Sequence, residues 1–432
     1  MQFLIKRKYL RLPLSFSFFG LILVIDQLLL PMFHFNGLPF KLSYFLVALW
    51  FLNFLVKRNK NYYENREFLF FSFAILLIML CGILGELFFL GYFNADGFEP
   101  LIRSMLIYTL TIFSFGLGLS SKKFNINWLI PIFLVAISLN FIFIFFKTQV
   151  PSWLISIYYS QAYVDDFAGL GITDVKGILE LGRPRGLFPN PNGSAFMVNI
   201  ISLFIYLGIK KNLCKTPSSF IYFLIIILPI ILSMLLASRG EFLVSLLLGF
   251  LHARLVFLYN KKFFFRIGSF AILGITFIGT YASQKIDMEE FRHNFERILS
   301  IVEILNNAND SDDDVRQLSS IARPLQVFVP AYERFKISPV FGSGFARVTG
   351  VEYLSEGTDY FHNDWFRLLV TSGFIGLICM LWILNRFILP LGWAALIPFV
   401  LPGMVNTFLL NINAVMFFFF MIAVIRSKLN DN

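Results

Sequence analysis

The chain has 432 residues, of which 57% are hydrophobic, 18% aromatic and only 14% charged; an ordinary soluble domain carries roughly 25% charged residues. With a mean hydropathy of +0.74, this composition excludes a soluble enzyme and a disordered chain. The formal charge of +10, from 36 Lys and Arg against 26 Asp and Glu, has to be located along the chain before it can be assigned to a nucleic-acid partner.

A bilayer core about 30 Å thick takes roughly 20 residues of helix to cross. Apolar runs of that kind fall near residues 13–33, 38–56, 68–93, 100–119, 128–147, 191–208, 219–236, 241–258, 267–283, 365–384, 387–404 and 407–425. They lack the alternating polar face of barrel strands, so the expectation is an all-α polytopic membrane protein of about twelve transmembrane helices. Three stretches follow, 1–283 with an outer loop at 148–190, a loop domain at 284–364, and 365–432 with the last helices and a tail.

Charge orders these runs. Lys6, Arg7, Lys8 and Arg11 precede the first, and Lys57, Arg58, Lys60 and Arg66 follow the second. Lys122 and Lys123, then Lys210, Lys211 and Lys215, then Arg254, Lys261, Lys262 and Arg266, then Arg386, and last Arg426 and Lys428 occupy connections on the same side. Together they make 20 of the 36 basic residues, whereas 284–364 holds 14 acidic residues against 8 basic ones. By the positive-inside rule both termini are expected in the cytoplasm and the acidic loop outside, in the periplasm of a Gram-negative cell. The basic balance therefore reports orientation, and no nucleic-acid partner is expected. The first run is too long for a signal-peptide core and reads as a retained span. Cys81 and Cys379 fall in spans and Cys214 in a cytoplasmic loop, so no disulfide framework is implied.

Three outer segments depart from short connections. The first, 148–190, runs into the next span through Gly182-Arg183-Pro184-Arg185-Gly186-Leu187-Phe188-Pro189-Asn190-Pro191-Asn192-Gly193. The second is the tight Ala237-Ser238-Arg239-Gly240-Glu241. The third, 284–364, is too long for an idle connection. In it Ile286, Phe291, Phe295, Ile298, Val302 and Leu305 recur at helical spacing, which predicts an amphipathic surface helix. The acidic Asn306–Asp314 run reads as a solvated turn. A second helix is expected over 319–337, with Arg323 near its start, and Gly342-Ser343-Gly344 follows as a turn. The loop closes on Phe361-His362-Asn363-Asp364-Trp365.

Eight basic residues remain on or near the outer face: Lys41, Arg103, Lys147, Lys176, Arg183, Arg185, Arg239 and Arg367. Arginine beside a membrane is costly unless paired or used, and its planar fork suits phosphate oxygens. These positions suit either an anionic ligand at the outer surface or ordinary pairing with acids and headgroups. Asp26 and Glu86 lie inside predicted spans near an outer end, where pairing with Arg103 or Arg239 is expected, and Glu241 fits the same reading.

Arg185-Gly-Leu-Phe-Pro-Asn-Pro-Asn192 opening one span, Ser238-Arg239-Gly240 opening another, and a long outer loop ending in His362-Asn363 before Gly373-Phe374-Ile375-Gly376 resemble the O-antigen ligase and O-antigen polymerase superfamily. The resemblance covers roughly residues 180–385. It implies a GT-C-like integral-membrane glycosyltransferase on the outer face of the inner membrane, moving a glycan from undecaprenyl diphosphate to a hydroxyl of lipid A core or of a growing polysaccharide. Its partners would be the lipid-linked glycan, the saccharide acceptor and membrane lipids. Arg185 and Arg239, with Arg323 as a third candidate, would stabilise the departing diphosphate without a cofactor or metal. His362 would serve the acceptor hydroxyl, since a histidine side chain titrates near neutrality. His34, His252 and His293 read as structural. Asn190 and Asn192 suit either hydrogen bonds to the glycan or caps of the helix that follows.

Some polymerases of the superfamily separate an outer-loop Arg from a Gly by ten residues. Here Arg183 to Gly193 and Arg334 to Gly344 fall one short, which leans toward a ligase. The alternative is a flippase or exporter of lipid-linked oligosaccharide. Against it, transporters place ionisable sites near the midplane of repeated halves, whereas these motifs sit at outer span ends.

Overall fold

The computed structural model describes residues 16–30, 33–35, 38–57, 62–89, 95–146, 151, 186–187, 191–236, 238–259, 261–262, 264–266, 269, 332, 335–344, 363–402, 409 and 411–431. Its helices are α1 (Phe16–Leu28), α2 (Leu42–Lys57), α3 (Tyr62–Phe89), α4 (Ala95–Ser120), α5 (Leu129–Phe145), α6 (Pro191–Lys210), α7 (Ser219–Leu235), α8 (Arg239–Tyr259), α9 (Asp364–Ile383) and α10 (Ile412–Asp431). Among the described residues six stretches are long and apolar enough to cross a membrane, namely Arg66–Gly85, Ile126–Phe145, Asn192–Lys210, Gly240–Leu258, Asp364–Leu391 and Ile412–Asn430; Phe16–Leu28, Leu42–Phe54, Ser104–Ser120 and Ser219–Leu235 are shorter apolar helices. A polytopic all-α membrane fold follows directly from these runs. The one sheet among the described residues is a hairpin between α1 and α2, β1 (Phe33–Phe35) on β2 (Leu38–Phe40), with Phe33 opposite Phe40. The two intervening residues are Asn36-Gly37, the pair favoured in two-residue hairpin loops.

The expected span at 267–283 lies outside the described residues apart from Ser269. The one expected at 387–404 is not a continuous helix. After α9 come a π-helical turn (Leu384–Ile388), 3-10 turns at Leu389–Leu391 and Trp393–Leu396, and a four-residue helix, Ile397–Val400. Pro390 and Pro398 remove backbone donors and Gly392 turns at φ 120°, so a regular ladder cannot run through.

Burial ranks the helices. The α6 span is 89% buried and the α10 span 83%, against 44–56% for the other four spans, so α6 and α10 form the centre and the rest face lipid on one side. Around α10 the Phe71 and Phe115 rings stack at 4.0 Å between centroids and meet Phe387 edge-on at 5.5 and 5.3 Å. Such pairs add about 0.5–1.5 kcal/mol each beyond area burial.

One end of the bundle collects the basic connections. Glu67 of α3, almost fully buried, bonds Arg386 after α9 and Arg426 of α10, each at 2.8 Å. Lys428 donates to the Lys122 carbonyl at 2.8 Å, and Lys211 reaches the Pro390 carbonyl at 3.4 Å. At the other end Lys41, fully buried, donates to the carbonyls of Asp26 (2.6 Å) and Leu30 (2.8 Å) and so caps the end of α1. The Asp26 carboxylate accepts the Ser43 amide at 2.8 Å; the side chains of Arg103 and Arg239, its expected partners, lie outside the description. The side chains of Glu86 and Arg103 are outside the description. Gln27, beside Asp26, donates to Ser43 and lies 3.7 Å from Met416 near the start of α10.

Candidate site at the motif end

The direction of each helix follows from these anchors. The final turn of α6 lies at the basic end, where Lys211 meets Pro390. Arg386 and Arg426 put the ends of α9 and α10 there as well. Along α8, Glu241 meets Asn199 of α6 and His252 meets Ser202, so α8 runs in the same sense as α6. The starts of α6, α8 and α9, which carry the Pro-Asn-Pro-Asn, Ser-Arg-Gly and His-Asn motifs, therefore share the end opposite the basic connections.

Leading into α6, Gly186 and Leu187 are buried against α5. The Leu187 amide donates to Asn140 Oδ1 at 2.8 Å, while Asn140 Nδ2 donates to the Ala136 carbonyl at 2.8 Å. A β-carbon on Gly186 would collide with Asn140 Oδ1 and come within 2.9 Å of Ser194, so only glycine fits between those helices. Asn192 is half-buried in the first turn of α6. Arg185 and Asn190 lie outside the described residues.

The turn from α7 to α8 closes through the Ser238 amide on the Ser233 carbonyl (3.0 Å) and the Phe242 amide on the Ser238 carbonyl (2.9 Å). Arg239 is the first residue of α8; its side chain is outside the description. Two residues on, Glu241 is 1% exposed. Asn199 Nδ2 donates to its carbonyl at 3.0 Å and to its carboxylate at 2.9 Å. Ser245 Oγ donates to Asn199 Oδ1 at 2.8 Å and lies 2.8 Å from Ser233 Oγ of α7. An acid in the first turn also complements the helix dipole.

The start of α9 is fixed by Asn363, whose Oδ1 accepts the amides of Trp365 (2.9 Å) and Phe366 (3.1 Å), a standard N-cap. The Asp364 carboxylate accepts the Leu409 amide at 3.0 Å and the Trp365 indole donates to the Phe399 carbonyl at 3.0 Å. Arg367, on the same turn, reaches Ser104 Oγ of α4 at 3.4 Å. His362 immediately precedes this cap in sequence and, like Arg323, lies outside the described residues.

Below that start α9 is broken at Gly373, with φ 62° and ψ −162°. Ser338–Gly344, the described foot of the long loop, fills the break. Its Ser343 and Gly344 amides donate to the Val370 and Thr371 carbonyls (2.7 and 3.3 Å), and its Pro339 and Val340 carbonyls accept the Phe374 and Ile375 amides (2.9 and 3.2 Å). The loop thus supplies the partners that a broken helix loses within the membrane. The close approach needs Gly85 of α3, where a β-carbon would lie 2.6 Å from the Gly344 nitrogen.

Elsewhere, His252 is fully buried with Nδ1 2.9 Å from the Tyr222 hydroxyl and Nε2 3.1 Å from the Ser202 carbonyl, a satisfied network among α6, α7 and α8. The side chain of His34, in β1, and all of His293 are outside the description. Among the described residues no group of three His, Cys, Asp or Glu side chains is placed to hold a metal. Sequence reading missed Asn140, Asn199, Ser245 and Ser104. Their signal was the presence of polar residues inside apolar runs, which in membrane helices mark interhelical hydrogen bonds.

Residues 223–381 match the family model described as O-Antigen ligase. The stretch takes in the α7–α8 turn, the His362-Asn363 motif, the start of α9 and the Gly373 break. A comparison with curated proteins found no match. The family match supports the O-antigen ligase and polymerase superfamily for this chain and, on a predominantly helical polytopic fold, a membrane-bound function of the ligase or polymerase type.

Proposed function

We propose that this protein is a bacterial inner-membrane glycosyltransferase, with both termini cytoplasmic, that moves a glycan from undecaprenyl diphosphate to a saccharide hydroxyl at the periplasmic face. The acceptor is lipid A core or a growing polysaccharide. The observation that carries the reading is that three motif-bearing helix starts share the end opposite the basic connections, within and beside the stretch matching O-antigen ligases.

In this reading the acceptor oxygen attacks the anomeric carbon as the bond from that carbon to the diphosphate oxygen breaks. His362 takes the acceptor proton. The leaving diphosphate departs with the bonding electrons, and the cationic side chains of Arg185 and Arg239, with Arg323 as third candidate, stabilise its charge. Asn190 and Asn192 hydrogen-bond glycan hydroxyls. The chain's departure from the polymerase spacing leans the assignment toward ligation.

The test is a gel of surface lipopolysaccharide from a strain lacking the protein, beside extracted lipid-linked glycan and complemented with Arg185→Ala, Arg239→Ala or His362→Ala. Bare core with polymer accumulating on the carrier indicates a ligase, and core bearing single repeat units indicates a polymerase. Each variant is expected to insert normally; the arginine variants should lose about 10²–10³ in transfer, the usual cost of removing one group that stabilises developing charge, and His362→Ala about 10²–10⁴, the range for a general base. An unchanged ladder in the deletion strain would refute the reading.

A further inference from the structure

Asn199 stands outside the stretch that matches the ligase family and outside every motif of the sequence. It occupies the third turn of α6, roughly 12 Å along the axis from Pro191 at about 1.5 Å per residue. It is 1% exposed. Its amide is used completely against α8, with Nδ2 shared between the Glu241 carbonyl (3.0 Å) and carboxylate (2.9 Å), and Oδ1 accepting from Ser245 Oγ (2.8 Å). Through Ser245 the same side chain is linked to Ser233 of α7 (2.8 Å), whose own carbonyl accepts the Ser238 amide (3.0 Å) beside Arg239. One residue of α6 thereby holds both arms of the turn that presents Arg239.

The chemistry of this cluster differs from packing. Its hydrogen bonds of 2.8–3.0 Å are directional, so they fix the rotation and axial register of α8 against α6 together. A misplacement of 1 Å can cost about 10²-fold where a charge must meet a transition state.

We propose that Asn199 is a positioning residue for Arg239, with the Glu241 carboxylate as its hydrogen-bond acceptor, setting where the guanidinium meets the diphosphate of the lipid donor. The inference rests on the diphosphate-binding reading of Arg239. Glu241 serves as an acceptor atom, so neither its charge nor its proton is used.

The experiment uses the full-length protein in detergent. Binding of sugar-free undecaprenyl diphosphate, the leaving group, is read as a concentration-dependent rise in melting temperature, and transfer in proteoliposomes is measured with lipid-linked glycan extracted from a strain lacking the protein. Asn199→Ala is expected to weaken binding about tenfold and raise the donor KM by a similar factor while the acceptor KM stays within twofold. Glu241→Gln, which keeps the acceptor oxygen, is expected to stay within threefold of the parent, unlike Glu241→Ala. Added to Arg239→Ala, Asn199→Ala should cost nothing further.

Normal donor binding in a folded Asn199→Ala protein, with Arg239→Ala defective, would overturn the positioning role and leave the diphosphate reading standing. Losses that add in the double variant would also overturn it, as would Glu241→Gln being as damaging as Glu241→Ala. Normal binding by Arg239→Ala would refute the diphosphate reading and the inference together. Should Asn199→Ala fail to fold, the contrast between the two Glu241 variants decides the question.

Discussion

At the basic end of the bundle Glu67 lies between Arg386 and Arg426 at 2.8 Å from each, and the guanidinium of Arg386 also covers the Phe70 ring at 4.6 Å. At the motif end the buried acid Glu241 is met by the neutral amide of Asn199, the Leu187 backbone by the neutral amide of Asn140, and the start of α9 by Asn363. Charge is therefore matched to charge where the sequence places the cytoplasm, and backbone is matched to asparagine where it places the chemistry. The first arrangement ties α3, the turn after α9, and α10 together. The second fixes the outer helix starts through side-chain amides.

Energetics separate the two. Removing one partner from a buried ion pair costs about 3–5 kcal/mol because a charge is left uncompensated, whereas a hydrogen bond between membrane helices is worth about 0.6 kcal/mol on average and 1.7 at most. Glu67→Ala should therefore cost about 3–5 kcal/mol, since it strands two guanidinium groups. The expected signature is a large fall in melting temperature and poor recovery from the membrane. Arg239→Ala should instead melt like the parent while losing transfer. A Glu67→Ala protein as stable as the parent would remove the distinction between the ends.

The Gly373 break offers a finer cut, because it lies at the motif end and is held mainly by backbone hydrogen bonds, with the Ser343 hydroxyl on the Val370 carbonyl beside them. Gly373→Ala places a β-carbon against the Val340 carbonyl of the loop foot and forces φ 62° on a residue with a side chain. Strain of that kind costs about 1–3 kcal/mol. Melting temperature should fall by less than in Glu67→Ala, and a protease should cut the long loop faster, since the foot's anchor is lost. Unaltered cleavage would mean that the loop is held elsewhere.

Much of this was legible before any coordinates. Length and hydropathy marked the helices from α1 to α10, and the basic connections ordered them, because both signals are local and additive along the chain. The motifs at Arg239 and His362 were legible as motifs for the same reason. Asn140 and Asn199 were not, since a lone asparagine in an apolar run does not say which helix it will meet 40 or more residues away. The break in α9 was hidden because Thr371-Ser372-Gly373 is compatible with helix; only the arrival of Ser338–Gly344 makes the open conformation cheaper. The broken stretch after α9 is different, since Pro390, Gly392 and Pro398 announced it and hydropathy outweighed them in the reading.

The smallest effect concerns Cys214, in the α6–α7 connection at the basic end. The thiol is buried, donates to Asn127 Oδ1 at 3.2 Å, and burial pushes its pKa from the usual 9.0 up to about 11. Alkylation requires the thiolate. At pH 8 a shift of that size leaves roughly a hundredth of the thiolate of an ordinary cysteine, at tenfold per pKa unit. Labelling by a maleimide in native membranes should be correspondingly slow and should quicken about tenfold per pH unit up to the thiol's own pKa. Asn127→Ala, which removes the acceptor, should speed it at every pH. Rapid labelling of the intact protein at pH 8 would show that the basic end opens to water, and the view of that end as a closed scaffold would have to be given up.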